Sequence, residues 1–254
     1  MTQTPQPMIE TDNLSGWIGH LVELRQRLVK SVLAVLVIFF VLLYWSSDIF
    51  NLFAQPMIQS LPAGARMIST EVTSNFFVPM KFVLWVSFVL ALPVVIYQVW
   101  AFVAPGLYQS EKKLVVPIVG SSYVLFLVGT AFAYFVVFPS VFGFMAKLTP
   151  LSVEMATDID SYLSFGLTTF LAFGLTFEVP IVVIVLVKLG VVTLAQLKAA
   201  RRYVIVGAFV VAAVVTPPDV ASQLMLAIPL VILYEVGLFL SRWIVPRPSS
   251  EPER

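Results

Sequence analysis

His20-Leu-Val-Glu-Leu-Arg-Gln-Arg-Leu28 runs without a break into an uncharged apolar stretch at about 29–47, and that junction decides the architecture. Upstream and through it, Leu14, Trp17, Leu21, Leu24 and Leu28 recur at spacings of three and four. This is the pattern of a helix resting on a membrane surface with its apolar face down. Downstream, the run approaches the roughly 20 apolar residues that a spanning helix needs. Further runs of this kind fall at 77–98, 114–138, 162–189, 203–215 and 221–241. The expected fold is an all-α membrane protein of six transmembrane helices, one polytopic domain over 1–254. Residues 1–28 form an amphipathic N-terminal segment and 244–254 a tail.

Composition agrees. The chain is 59% hydrophobic and 11% charged, with a mean hydropathy of +0.97, whereas soluble domains are about 45–50% apolar and about 25% charged. A net charge of +1 offers no basic patch to neutralise phosphates, which argues against a nucleic-acid partner. The absence of cysteine excludes disulfides, thiolate chemistry and Cys-ligated metals. No basic start leads into a short apolar core and small-residue cleavage site, so a cleavable signal peptide is not expected.

Lys and Arg set the expected orientation. Arg25, Arg27 and Lys30, then Lys112 and Lys113, then Lys188, Lys198, Arg201 and Arg202, then Arg242, Arg247 and Arg254 all fall on one side. Only Arg66 and Lys147 fall on the other, with Lys81 just inside the second span. Both termini are therefore expected to be cytoplasmic. The far-side connections, 48–76 and 139–161, are longer and acidic, and their Pro, Phe and Met content predicts ordered caps with helices at their centres. The fifth run, Tyr203 to Val215, gives about 20 Å of helix against a hydrocarbon core of about 30 Å. Thr216-Pro-Pro-Asp219 then turns the chain into the sixth, so this hairpin should be short and the bilayer beside it thinned. The fourth run is long and carries Pro180, which predicts a kink. Glycine is only 12 of 254 residues, below the usual ~7%. Close glycine-mediated packing is therefore not expected to dominate, and the bundle should be uneven and concave.

Few residues could carry chemistry. Glu23 is a carboxylate on the side where basic residues gather. It either pairs with Arg27, four residues on along the same helix, or remains available to a ligand. Trp100-Ala-Phe-Val-Ala-Pro-Gly-Leu-Tyr-Gln-Ser-Glu-Lys-Lys113 supplies a second carboxylate, Glu111, among aromatics that include Phe102. Before two lysines, it also reads as an ordinary solvated helix start. Glu178 lies deep in the fourth span, where an ionisable group is costly and faces a cavity, a polar partner or a pathway. The alternative is a protonated Glu bonded to a neighbouring helix. Gln223 is a possible polar contact for a partner helix, while Glu235 and Lys81 lie near enough to the interfaces to snorkel. His20 is the only histidine, and no metalloprotease, nucleophile-elbow or phosphate-loop motif occurs. No metal or other cofactor is expected.

Several of these segments resemble the TatC family, the core membrane subunit of the twin-arginine protein translocase. The resemblance spans about residues 17–243 and rests on His20–Leu28, on Trp100–Tyr108 with Glu111, and on Ala131-Phe-Ala-Tyr-Phe-Val-Val-Phe-Pro139. Ser161-Tyr-Leu-Ser-Phe165, Phe173-Gly-Leu-Thr-Phe-Glu-Val-Pro180 and Thr216–Asp219 complete it. The resemblance implies a multi-pass protein of the bacterial cytoplasmic (inner) membrane. It would recognise twin-arginine signal peptides of folded precursors and assemble with TatB-like and TatA-like single-span proteins into an oligomeric complex driven by the proton motive force. Glu23 and Glu111 become the carboxylates that meet the paired arginines, with Arg25 orienting that surface and Phe102 beside it. Glu178 and Gln223 become intramembrane polar contacts, the short fifth span a wall for a TatB-like helix, and Pro56, Phe76 and Asp219 shape the far-side caps. The basic pair Lys112-Lys113 departs from the pattern and reads as an interchangeable positive flank.

Two other readings compete. A proton-coupled solute transporter built on Glu178 would call for an inverted repeat and paired broken helices, and neither is visible. An intramembrane enzyme would need a nucleophile–base pair or metal cage, and the spans carry none.

Overall fold

The structure, a computed structural model, describes residues 10–60, 67–103, 115–148, 158–215 and 220–244. Eight α-helices account for nearly all of them: α1 Glu10–Leu42, α2 Ser46–Ser60, α3 Ser74–Val103, α4 Val115–Phe132, α5 Phe138–Leu148, α6 Ile159–Lys188, α7 Leu194–Val215 and α8 Val220–Ile244. Six of them, α1, α3, α4, α6, α7 and α8, are the transmembrane helices, and α2 and α5 cap one end. The last two spanning helices, of 22 and 25 residues, are shorter than α3 and α6 at 30 each.

Five stretches are long and apolar enough to cross a membrane on composition alone: Leu21–Gln55, Ser74–Phe102, Val116–Phe144, Ile159–Lys188 and Gln223–Trp243. The sixth helix, α7, falls outside that set because its first turns carry Lys198, Arg201 and Arg202. The helix starts nine residues before the apolar run at 203. Thr193 Oγ1 accepts from the Gln196 backbone N–H at 3.2 Å, and the Gln196 side chain accepts from the Thr193 N–H at 2.8 Å. This reciprocal capping box fixes a start that hydropathy does not register. The Tyr234 hydroxyl donates to the Leu197 carbonyl at 2.8 Å and Arg201 pairs with Glu235 at 2.6 Å, tying those first turns to α8. Just upstream, α6 ends on Gly190 at φ +68°, the left-handed position that suits glycine at a helix C-terminus.

α6 is the centre of the molecule, packed by α4 on one side and α8 on the other. A Cβ on Gly129 of α4 would stand 2.6 Å from the Phe173 carbonyl oxygen. One on Gly174 of α6 would run into the Phe126 ring, and one on Gly237 of α8 would stand 2.9 Å from Pro180 Cα. Glycines are few, yet Gly129 and Gly237 sit where backbones approach and Gly174 makes room for a ring, so small residues fit α6 to both neighbours.

At the capped end, α4 passes through a π turn, Ala133–Val137, directly into α5. Val137 is buried at the end of that turn, and Phe138 and Val141 beyond it. α2 follows α1 through a tight 3₁₀ turn, Leu43–Trp45, and buries Phe50, Phe53 and Ala54. Phe53 stacks on Phe82 at 4.3 Å and meets Tyr162 at 5.0 Å and Phe170 at 5.6 Å, while Phe138 stacks on Phe170 at 5.1 Å. Aromatic pairs of this kind contribute about 0.5–1.5 kcal/mol each beyond their burial. Tyr134 and Tyr162 hydroxyls donate to the Leu52 and Phe53 carbonyls at 3.1 and 3.3 Å, fastening α2 to the bundle. Both far-side connections thus contain a helix, placed at the start of each; their centres lie outside the described residues.

Asp158 clips the first cap to α6. Its carboxylate accepts from the Ser161 N–H at 3.1 Å as the helix N-cap and from the Thr70 N–H and Oγ1 at 3.1 and 3.0 Å. The Ile159 N–H donates to the Ile68 carbonyl at 2.9 Å. These donors, the Ser161 N–H first and the Thr70 N–H next, hold the Asp158 carboxyl below its ordinary range.

Candidate functional site

Glu23 sits in α1, three turns into a 33-residue helix that packs along α3. Its Oε1 accepts from Arg27 Nη2 at 2.6 Å and from Arg27 Nε at 3.0 Å, and Arg27 Nη1 donates to Gln98 Oε1 of α3 at 3.3 Å. The two charged side chains are 34% and 24% exposed. The pairing open to Glu23 from its spacing is therefore present, and it extends to a residue 71 positions away. Arg25 is exposed. Phe102 is half-buried in the last turn of α3, one turn beyond Gln98 on the same face. Glu111 lies outside the described residues.

A groove of about 610 Å³ begins beside this cluster. Leu28, next to Arg27, and Val95, just before Gln98, line its near end; Val35, Trp85 and Phe88 line its middle and Lys81 its far end. The wall is almost wholly apolar because the α1 and α3 faces there carry aliphatic and aromatic side chains. At its far end Lys81 pairs with Asp160 at 2.7 Å rather than reaching for the interface. A carboxylate at one end and an apolar trough some helical turns long suit a peptide with a cationic head and a hydrophobic body.

In the interior, Glu178 is half-buried between α6 and α4. The buried Ser122 hydroxyl of α4 interacts with its carboxyl, while Oε1 has no hydrogen-bond partner. Gln223 is half-buried in the first turn of α8. Phe76 is 68% exposed and meets only the Phe77 ring, edge-on at 5.3 Å, among the aromatic contacts. Pro56 lies within α2; nothing of its side chain is described, and Asp219 is outside the described residues. Glu235, expected to snorkel, is instead engaged by Arg201. Sequence reasoning passed over Gln98, Ser122 and Asp160. No local spacing links any of them to its partner, since each contact joins separate helices.

Comparison with known proteins gives a consistent answer. The family profile described as Sec-independent protein translocase protein (TatC) matches residues 19–229. A protein of that name from Escherichia coli K12 is 50% identical over 236 residues, covering 93% of this chain and 92% of its own length. One from Halothiobacillus neapolitanus is 51% identical over 236 residues and 93% of this chain, which spans only 64% of that longer relative. A crystal structure described as the twin-arginine translocase receptor TatC superposes with a TM-score of 0.78 at 40% identity, covering 88% of this chain and 98% of that one. The chain belongs to the TatC family of Sec-independent protein translocase proteins.

Proposed function

We propose that this chain is the signal-peptide receptor and core scaffold of a twin-arginine translocase. It lies in the bacterial cytoplasmic membrane with both termini in the cytoplasm, and export of folded precursors is driven by the proton motive force. The observation that carries this reading is the Glu23 carboxylate at the head of the apolar groove between α1 and α3. A guanidinium binds a carboxylate through two parallel charge-assisted bonds, which an ammonium cannot reproduce. Glu111, on the matching family motif, is the second acidic partner of the arginine pair, with Arg25 orienting the surface and Phe102 flanking it. The hydrophobic body of the signal peptide lies along the groove.

The remaining parts follow from the bundle's shape. α7 buries only Ala208 and Ala212, and its open apolar face is the wall for a TatB-like helix. Glu178, with one unpartnered oxygen, and Gln223 are the polar contacts for the inserted peptide or a TatA-like helix. Pro56, Phe76 and Asp219 shape the capped end. The role is binding and scaffolding, without covalent chemistry.

The test is crosslinking of a twin-arginine peptide to the protein in membranes, with a Lys-Lys peptide as control. Crosslinks beside 23 and 111 that are lost in Glu23→Ala and in Glu111→Ala support the reading. Undiminished crosslinking in both variants removes these carboxylates from the site.

A further inference from the structure

Glu23 already holds a guanidinium. Both bonds from Arg27 converge on Oε1, leaving Oε2 without a partner among the described residues, and the third nitrogen of the same guanidinium reaches across to the neutral amide of Gln98 on α3. We infer that Arg27 is a specificity-determining residue of the peptide site: it occupies Glu23 as an internal stand-in for a signal-peptide arginine. Gln98 is the acceptor that receives it when a peptide arginine takes the carboxylate. This rests on the assignment of Glu23 to signal-peptide binding and goes beyond it.

The chemistry of exchange explains what the stand-in does. An incoming arginine offers the same planar fork as Arg27 and can first take the open Oε2, then replace the Oε1 bonds like for like. An incoming lysine brings a compact, strongly hydrated ammonium that cannot reproduce two parallel bonds, so it meets an occupied carboxylate with little to offer in return. Discrimination between Arg and Lys thus comes from competition as well as from geometry. Gln98 matters because a displaced guanidinium needs another acceptor: its Oε1 already holds one Arg27 N–H and can take more of the group as Glu23 is released.

The test measures affinities of a fluorescent twin-arginine peptide and its Lys-Lys counterpart for the full-length protein in lipid nanodiscs. Arg27→Gln is expected to tighten binding of both peptides, by about two- to fivefold for a pair this exposed, with the larger gain for Lys-Lys. Gln98→Leu is expected to weaken twin-arginine binding in the parent protein and to have no effect in the Arg27→Gln background. Weaker binding in Arg27→Gln, or a Gln98→Leu loss that persists without Arg27, overturns the inference and makes Arg27 a brace for Glu23. If Arg27→Gln does not accumulate, Gln98→Leu alone decides: weaker binding supports the exchange, and unchanged or tighter binding overturns it. A Glu23→Gln variant separates the two readings, because intact peptide binding there removes the proposed function itself.

Discussion

α6 and α1 are both long apolar helices, yet half of α6's most apolar window is buried inside the protein and only 6% of α1's. In water that contrast would mark α1 as misplaced. In a bilayer, lipid tails are as apolar as leucine, and a helix gains from a protein neighbour only where it fits. α6 fits on both flanks, through Gly129, Gly174 and Gly237. α1 leans on α3 and turns Val29, Leu33, Val37, Phe40 and Val41 outward. The difference separates a scaffold from a wall: the central helix specifies the bundle, and the wall helix can exchange lipid for a peptide or another helix at small cost.

The contrast can be broken most forcefully at the capped end of the scaffold. Phe53→Ala removes the ring that Phe82, Tyr162 and Phe170 pack on and should cost about 3–5 kcal/mol, against about 0.5 kcal/mol or less for Phe40→Ala on the wall. Thermal unfolding in detergent, followed by helical circular dichroism, reads both; equal losses would erase the distinction. Next in size, Gly174→Leu forces a side chain into Phe126 and should cost about 1–3 kcal/mol. Gly207→Leu on α7, where a Cβ meets nothing within 4 Å, should leave the midpoint nearly unchanged.

Glu178→Gln sharpens the comparison on the functional side. Its carboxyl lies on the scaffold, away from the Glu23 cluster on the wall. Transport in vesicles should fall while twin-arginine peptide affinity stays at the parent level. Equal loss of both would end that division of labour. The smallest effect is a pH dependence at Asp158. Its folded-state pKa is depressed, so its stabilising contribution is complete above the unfolded value of about 3.9 and is lost as pH falls through the lower folded one. Asp158→Asn retains a good N-cap but cannot titrate, so the parent's melting point should drop more than the variant's between about pH 6 and pH 3.

Much of this was legible in the sequence where one helix acts alone. Apolar runs mark helices, and the spacing of Glu23 and Arg27 offers their pairing. The motifs shared with the TatC family point to the same fold that the structure displays. What escaped involves two helices or a change of environment. The start of α7 is invisible to hydropathy because its charged turns leave the apolar layer, although Thr193 and Gln196 spell a capping box. Glycine abundance does not locate the two backbone approaches at Gly129 and Gly237. Gln98 and Ser122 carry no local mark at all, because only the pairing of α1 with α3 and of α4 with α6 gives them partners.

The 3₁₀ turn at Leu43–Trp45 joins α2, buried through Phe50, Phe53 and Ala54, to α1, which packs along α3; a tilt of α1 about that turn would act as a lever. Glu23 lies about 22 residues, or roughly 33 Å, from that fulcrum. A swing of about 5° there carries the carboxylate through about 3 Å, enough to make or break a hydrogen bond. A small angular adjustment at one end of α1 would thereby be magnified into a binding distance at the other.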